Sequence, residues 1–232
     1  MESQNADIEI VVSRYNENLE WLKEEPFNKY PIICYNKGPN EEFYKPNGMK
    51  IVTVENVGRC DHTYIYHIVN NYDNLSKHIM FLPGSCNMPN KMNKARRWLS
   101  EIERTDQPVF IGLQTQEGIQ SELKDFQLDD WAASDEKNRV LNPESKLKLS
   151  SIRPFGKWFQ KFFKDVKAKY YTLGGILGVG KENVMQHPKS YYEDLLQELN
   201  DHSNPEVGHY FERSWAAIFH PTDKVTFINE LG

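Results

Sequence analysis

Residues 51–82 read IVTVENVGRCDHTYIYHIVNNYDNLSKHIMFL, and the order of patterns within them decides the fold. Ile51-Val52-Thr53-Val54 is a β-branched run of strand length. Ile65, Ile68, Val69 and Tyr72 then recur at i, i+3, i+4 and i+7, which predicts a helix from about Arg59 to Tyr72. His78 to Leu82 is a second apolar run, stopped by Pro83-Gly84. Strand, helix, strand in succession is the signature of parallel pairing through a helical crossover.

The same alternation extends in both directions. Ile8 to Ser13 predicts a strand, Leu19, Trp21 and Leu22 a short helix before Pro26, and Tyr30 to Tyr35 a strand ended by Asn36-Lys37-Gly38-Pro39. Beyond Leu82, Lys91 to Arg104 is helical through Met92, Ala95, Trp98, Leu99 and Ile102, and Val109 to Leu113 is a fifth strand. The prediction is an α/β domain with a mixed, mostly parallel sheet flanked by helices. Ligands of such sheets bind beyond the carboxyl ends of the strands. Three polar loops gather there: Ser13 to Glu17, Asn36 to Gly38, and Asn56 to Asp61.

Residues 115–150 are acidic and weakly periodic, a polar excursion. From Pro154 onward helices dominate, with the last two over Ser190–Leu199 and Gly208–Phe219. Tyr171 to Val179 interrupts them as a strand bearing glycines. The expected organisation is one domain over 1–232, with a nucleotide-binding half (1–114), the excursion, and a helix-rich half (151–232).

Composition narrows the function classes. Hydrophobic content of 39% and charged content of 26% suit a globular protein, and a net charge of −5 argues against a dedicated nucleic-acid binder. No apolar run approaches the roughly 20 residues that span a bilayer, and MESQNADIEI lacks secretory features. Cys34, Cys60 and Cys86 are odd in number and far apart, which points to free thiols in a reducing, cytoplasmic setting.

Gly175 to Lys181 satisfies G-x-x-x-x-G-K, but Glu182 replaces the hydroxyl that would hold the metal, so the match is read as a decoy. Residues 155–169 interleave Lys157, Lys161, Lys164 and Lys167 with Trp158, Phe159, Phe162 and Phe163. This basic amphipathic helix either buries its aromatics in the core or offers peripheral membrane contact. Glu212 and Arg213 stand together near an expected helix start, where the dipole favours a carboxylate that could serve as general base. His220 is kept as a metal or substrate candidate. Arg59 is a cation at a helix N-terminus, misplaced unless an anion sits beside it; that anion is either Asp61 or a ligand.

Taken together, IVVSRYNENLEWL, NVGRCDHTYIYHIVNNY, IMFLPGS, GGILGV and GHYFERSWAAIF resemble a family of uncharacterised glycosyltransferase-like proteins of fungi and some large DNA viruses. More distantly, the order of elements is similar to the GT-A fold of nucleotide-sugar glycosyltransferases. The resemblance implies a nucleoside diphosphate sugar as donor and a glycan or glycoconjugate as acceptor. Ser13, Arg14, Tyr15, Asn16 and Glu17 would receive the nucleotide, with Lys37, Asn56, Arg59 and Asp61 around its ribose and phosphates. Gly174, Gly175 and Arg213 would line the acceptor side, and Glu212 would activate the acceptor. The chain departs from the GT-A pattern at one point. The strand that should end in the metal-binding Asp-x-Asp ends Phe81-Leu82-Pro83-Gly84-Ser85. A Mn²⁺ or Mg²⁺ ion would then be held elsewhere, at Asp129-Asp130, or arginine and lysine would neutralise the phosphates. A third expectation is a non-catalytic nucleotide- or glycan-binding module.

Overall fold

The computed structural model describes residues 7–131 and 146–231; residues 132–145, the middle of the expected excursion, lie outside them. The main sheet has the order β3-β2-β1-β4-β7. Its strands are β1 (Ile8–Arg14), β2 (Ile32–Asn36), β3 (Lys50–Thr53), β4 (His78–Pro83) and β7 (Leu177–Gly180). The first four pair in parallel, and β7 is antiparallel to β4. β1 and β4 are buried along their whole length, as continuous apolar runs in a parallel sheet covered on both faces should be.

Among the described residues, five helices of eight or more residues flank the sheet: α1 (Arg59–Asn71), α2 (Pro89–Thr105), α3 (Phe155–Phe163), α4 (Lys189–Gln197) and α5 (Glu206–Ile218). The fifth expected strand, β5 (Val109–Gln114), does form, but it leaves the parallel sheet. It lies between β6 (Tyr170–Tyr171) and β8 (Thr226–Asn229) in a separate three-stranded sheet. The expected single strand over Tyr171–Val179 is broken into β6 and β7 by Gly174 and Gly175, both at positive φ. Trp98 of α2 lies where the two sheets meet, donating its indole N–H to Val109 O at 2.8 Å. It packs so closely on β7 that a Cβ at Gly178 would stand 1.9 Å from its ring.

The basic aromatic segment ends as a helix at Phe163 rather than continuing to 169. Phe155, Trp158, Phe159 and Phe163 are buried in one aromatic cluster with Tyr210 and Phe211 of α5. The aromatic face of this helix is spent on the core and its lysines face outward, which leaves the expected membrane contact without support from the packing. The phosphate-loop match is a decoy, as expected: its glycines lie in the turn before β7 and in β7 itself, paired to β4.

Candidate functional site

Strand order sets the place. After β1 the chain goes to β2 and β3 on one side, then returns through α1 to β4 on the other, so β1 and β4 flank a topological switch point. A cleft of about 440 Å³ opens at their carboxyl ends, within the size range of small-molecule sites. Ser13, Arg14, Tyr15 and Glu17 at and beyond the end of β1, Lys37 after β2, Asn56, Arg59 and Cys60 after β3, and Pro83 and Ser85 at and beyond the end of β4 form one side. Lys91 of α2, Leu128, Trp131, Gly174, Gly175, Ser203, Asn204 and the α5 residues His209, Glu212 and Arg213 close the other.

Several of the residues expected at the ligand also brace the frame of the cleft. Arg14 is fully buried. It donates through Nε to Glu17 O at 2.7 Å and through Nη1 to Asn36 Oδ1 at 2.6 Å and Asn40 O at 2.7 Å, and it stacks on Phe43. These bonds fix the loop after β1. Asn16 accepts from Asn40 Nδ2 and does not line the cleft. Glu17 accepts the N–H groups of Tyr15 and Asn16 at 2.8 and 3.0 Å, so its carboxylate shapes the same loop. The Lys37 ammonium donates to Val57 O and Arg59 O, tying β2 to the start of α1. Burial pushes its pKa down to about 7, against the raising pull of Cys60 and Asp61.

Asp61 does not face the cleft. It is 1% exposed and accepts the Trp215 indole N–H at 3.2 Å. Burial, and next the charge of Glu212, raise its pKa to about 7 despite Arg59 and the Trp215 hydrogen bond. The choice between Asp61 and a ligand as the anion beside Arg59 is thereby sharpened, because the two side chains form no ion pair. Instead Arg59 Nη1 donates to His209 Nε2 at 3.0 Å and to Asn204 Oδ1 at 3.4 Å, and the guanidinium lies 4.0 Å over the Trp131 ring. An arginine has no acceptor, so His209 Nε2 carries no proton. Burial and the charges of Arg59 and Arg213 hold that imidazole neutral, with a pKa down to about 2.

The backbone enforces this placement. Gly58 and Arg59 both take left-handed φ, +59° and +56°, a conformation that costs a non-glycine residue roughly 1–2 kcal/mol. A Cβ at Gly58 would come 2.5 Å from Leu199 O, and one at Gly208 would come 2.9 Å from Arg59 Cδ. Two glycines therefore let Arg59 pass between the end of α4 and α5 into the cleft.

Glu212 lies on the cleft wall, but α5 begins at Glu206, so it is in mid-helix and the dipole argument for it fails. Its position comes from two donors: Gly174 N–H reaches Oε1 at 2.7 Å and Arg213 Nη1 reaches Oε2 at 3.3 Å. The dipole-favoured carboxylate is Glu206, which is fully buried. It accepts the N–H groups of Leu128 and Ser150 and the Tyr210 hydroxyl, and pairs with Arg153 at 3.2 Å. His220 lies past the far end of α5, its carbonyl near His187 Nε2, and is no part of the cleft.

The metal that the resemblance implies meets an unsuitable donor set. Pro83-Gly84-Ser85 brings no carboxylate of its own, the Glu17 carboxylate beside Gly84 already accepts two backbone N–H groups, and Lys91 Nζ donates to Ser85 Oγ at 3.0 Å, placing an ammonium at the strand end. Asp129 is exposed and paired to Arg153. Among the described residues no group of three or more His, Cys, Asp or Glu side chains could hold a metal ion.

The sequence matches a family described as protein of unknown function (DUF3431) over residues 10–229. The chain belongs to that family. A comparison with curated proteins finds no match. Among solved structures, this DUF3431 chain is similar to mannose-1-phosphate geranyltransferase from Thermus thermophilus, at 8% identity and a TM-score of 0.40, over 97% of this chain and 74% of that one. It is also similar to an active-site mutant of LgtC, at 10% identity and a TM-score of 0.39 over 95% and 72%. A galactosyltransferase LgtC complex with donor and acceptor sugar analogs matches at 9% identity and a TM-score of 0.35, over 95% and 73%. Any function of this DUF3431 chain must be carried by the groups of its own cleft.

Proposed function

We propose that this protein is a glycosyltransferase that moves a sugar from a nucleoside diphosphate sugar to a hydroxyl of a glycan or glycoconjugate. The observation that carries the reading is the charge layout at the switch point. Arg59, Lys91 and Arg213 line one cleft together with the carboxylate of Glu212. A diphosphate leaving group needs fixed cations, and an acceptor hydroxyl needs a base within reach. In the reaction the acceptor oxygen forms a bond to the anomeric carbon, and the bond from that carbon to the diphosphate oxygen breaks. The electron pair stays on the phosphate, and Glu212 takes the hydroxyl proton. Tyr15 and Trp131 supply aromatic surface for the base and sugar rings.

The test is a transfer and hydrolysis screen over nucleotide sugars, with Glu212→Gln alongside. The expected result is turnover by wild type and a loss of about 100-fold or more in the variant; equal rates would remove Glu212 from the role of base. A second reading, a binding module without catalysis, is favoured by the lack of an Asp-x-Asp in the sequence at the end of β4. Thermal stabilisation by nucleotide sugars with no turnover of any of them would select it.

A further inference from the structure

We infer that the diphosphate is held by protein cations without a divalent metal, with Lys91 occupying the position at the end of β4 that such a metal would need. The inference rests on the nucleotide-sugar reading above. Lys91 belongs to the first turn of α2, which starts with Pro89. A cation there faces the positive end of the helix dipole, and no carboxylate of the described residues stands within ion-pair distance of it. Its ammonium is fixed by Ser85 Oγ, so it is aimed at the strand end. On the other flank its side chain passes the Gly174 turn, where a Cβ would meet Lys91 Cε at 3.5 Å.

Arg59 repeats the pattern across the cleft. It too begins a helix and has only neutral partners among the described residues, and its Nε is buried with no hydrogen-bond partner. Two cations with no ion-paired carboxylate face one cleft, and an anion placed between them is attracted by both. The carboxylates that could turn the site toward a metal are engaged. Glu17 holds two backbone N–H groups, and Glu212 holds Gly174 and Arg213. Mg²⁺ binds through one or two carboxylates together with phosphate oxygens; here the phosphate oxygens meet N–H donors, which form charge-assisted bonds to them directly.

The experiment is titration calorimetry of the full chain with UDP, GDP and inorganic pyrophosphate, in EDTA and in excess MnCl₂. Wild type, Lys91→Met and Lys91→Arg are compared, with circular dichroism of each to verify folding. The expected result is binding in EDTA that Mn²⁺ does not strengthen, about tenfold weaker in Lys91→Met and largely restored in Lys91→Arg. Binding that requires Mn²⁺ would overturn the metal-free site while leaving the nucleotide-sugar reading in place. Binding in EDTA that Lys91→Met leaves unchanged would overturn the role of Lys91. No binding under either condition would overturn both readings. If Lys91→Met fails to fold, Ser85→Ala, which frees the ammonium, decides: unchanged affinity would count against the assignment and a severalfold loss would support it.

Discussion

Replacing Asp61 by asparagine should change how stability depends on pH. Asp61 is sealed behind the cleft wall by Cys60 and Trp215, with Glu212 near enough to raise its pKa further. Its carboxyl titrates at about 7 in the folded protein against 3.8 for an ordinary aspartate. The folded state therefore holds a proton that the unfolded chain has released, and the cost of ionising Asp61 in place grows as pH rises from 3.8 and is complete above about 7. At about 1.4 kcal/mol per pH unit, wild type should lose about 2 kcal/mol relative to Asp61→Asn between about pH 5.5 and about pH 8.5. The amide keeps an oxygen for the Trp215 N–H and has no charge to bury. Lys37 titrates near the same pH with opposite sign, since its cost is present below its folded value and vanishes as pH rises. It is common to both proteins, and losing the Asp61 counter-charge shifts it in a direction that widens the same difference. Urea unfolding of both proteins at the two pH values measures the effect. A difference between them that stays constant within about 0.5 kcal/mol would refute the buried, neutral carboxyl and with it the placement of Asp61 outside the ligand's reach.

Three further substitutions probe the frame around the site. Gly208→Ala should displace Arg59, whose Cδ lies 2.9 Å from the new Cβ; the expected outcome is nucleotide affinity reduced several-fold with near-native thermal stability, read by calorimetry and scanning fluorimetry. Gly178→Ala should force Trp98 from its bond to Val109 and cost about 3 kcal/mol, visible in urea unfolding and in the tryptophan emission. Glu206→Ala should cost about 3 kcal/mol or more, because it strands Arg153 and the N–H groups of Leu128 and Ser150.

The parallel half of the fold is legible because β1, β2 and β4 have apolar, largely β-branched or aromatic centres and α1 and α2 keep helical spacing. The second sheet is not, because β5 pairs with Thr226–Asn229, more than 100 residues away, and four residues of mixed polarity carry no periodic signal. The cleft's first loop and Arg59 stand out in the sequence, but nothing local shows that Arg14 and Lys37 spend donors on the frame of the cleft or that Asp61 lies outside its lining. That distinction depends on Asn36, Asn40, Val57 and Trp215 arriving from elsewhere in the chain. Lys91 is within reach of sequence reasoning, since it shares with Arg59 the mark of a cation in the first turn of a helix. His209 escapes a search of histidine spacing for metal motifs, because its role is to accept from Arg59. Glu206 escapes because periodicity alone starts the helix two residues late, at Gly208.

The cleft draws on residues far apart in the sequence, from Ser13 to Arg213, so it is completed only once α5 has been made. While the chain is being made, β1 to β4 can pair before α5 has left the ribosome. A nascent chain at that stage carries Lys91 and Arg59 beneath an open gap, without His209, Glu212 or the Gly174 turn that Glu212 holds. The site is complete only when α5 docks on the sheet, and a ligand held between them would favour that docking.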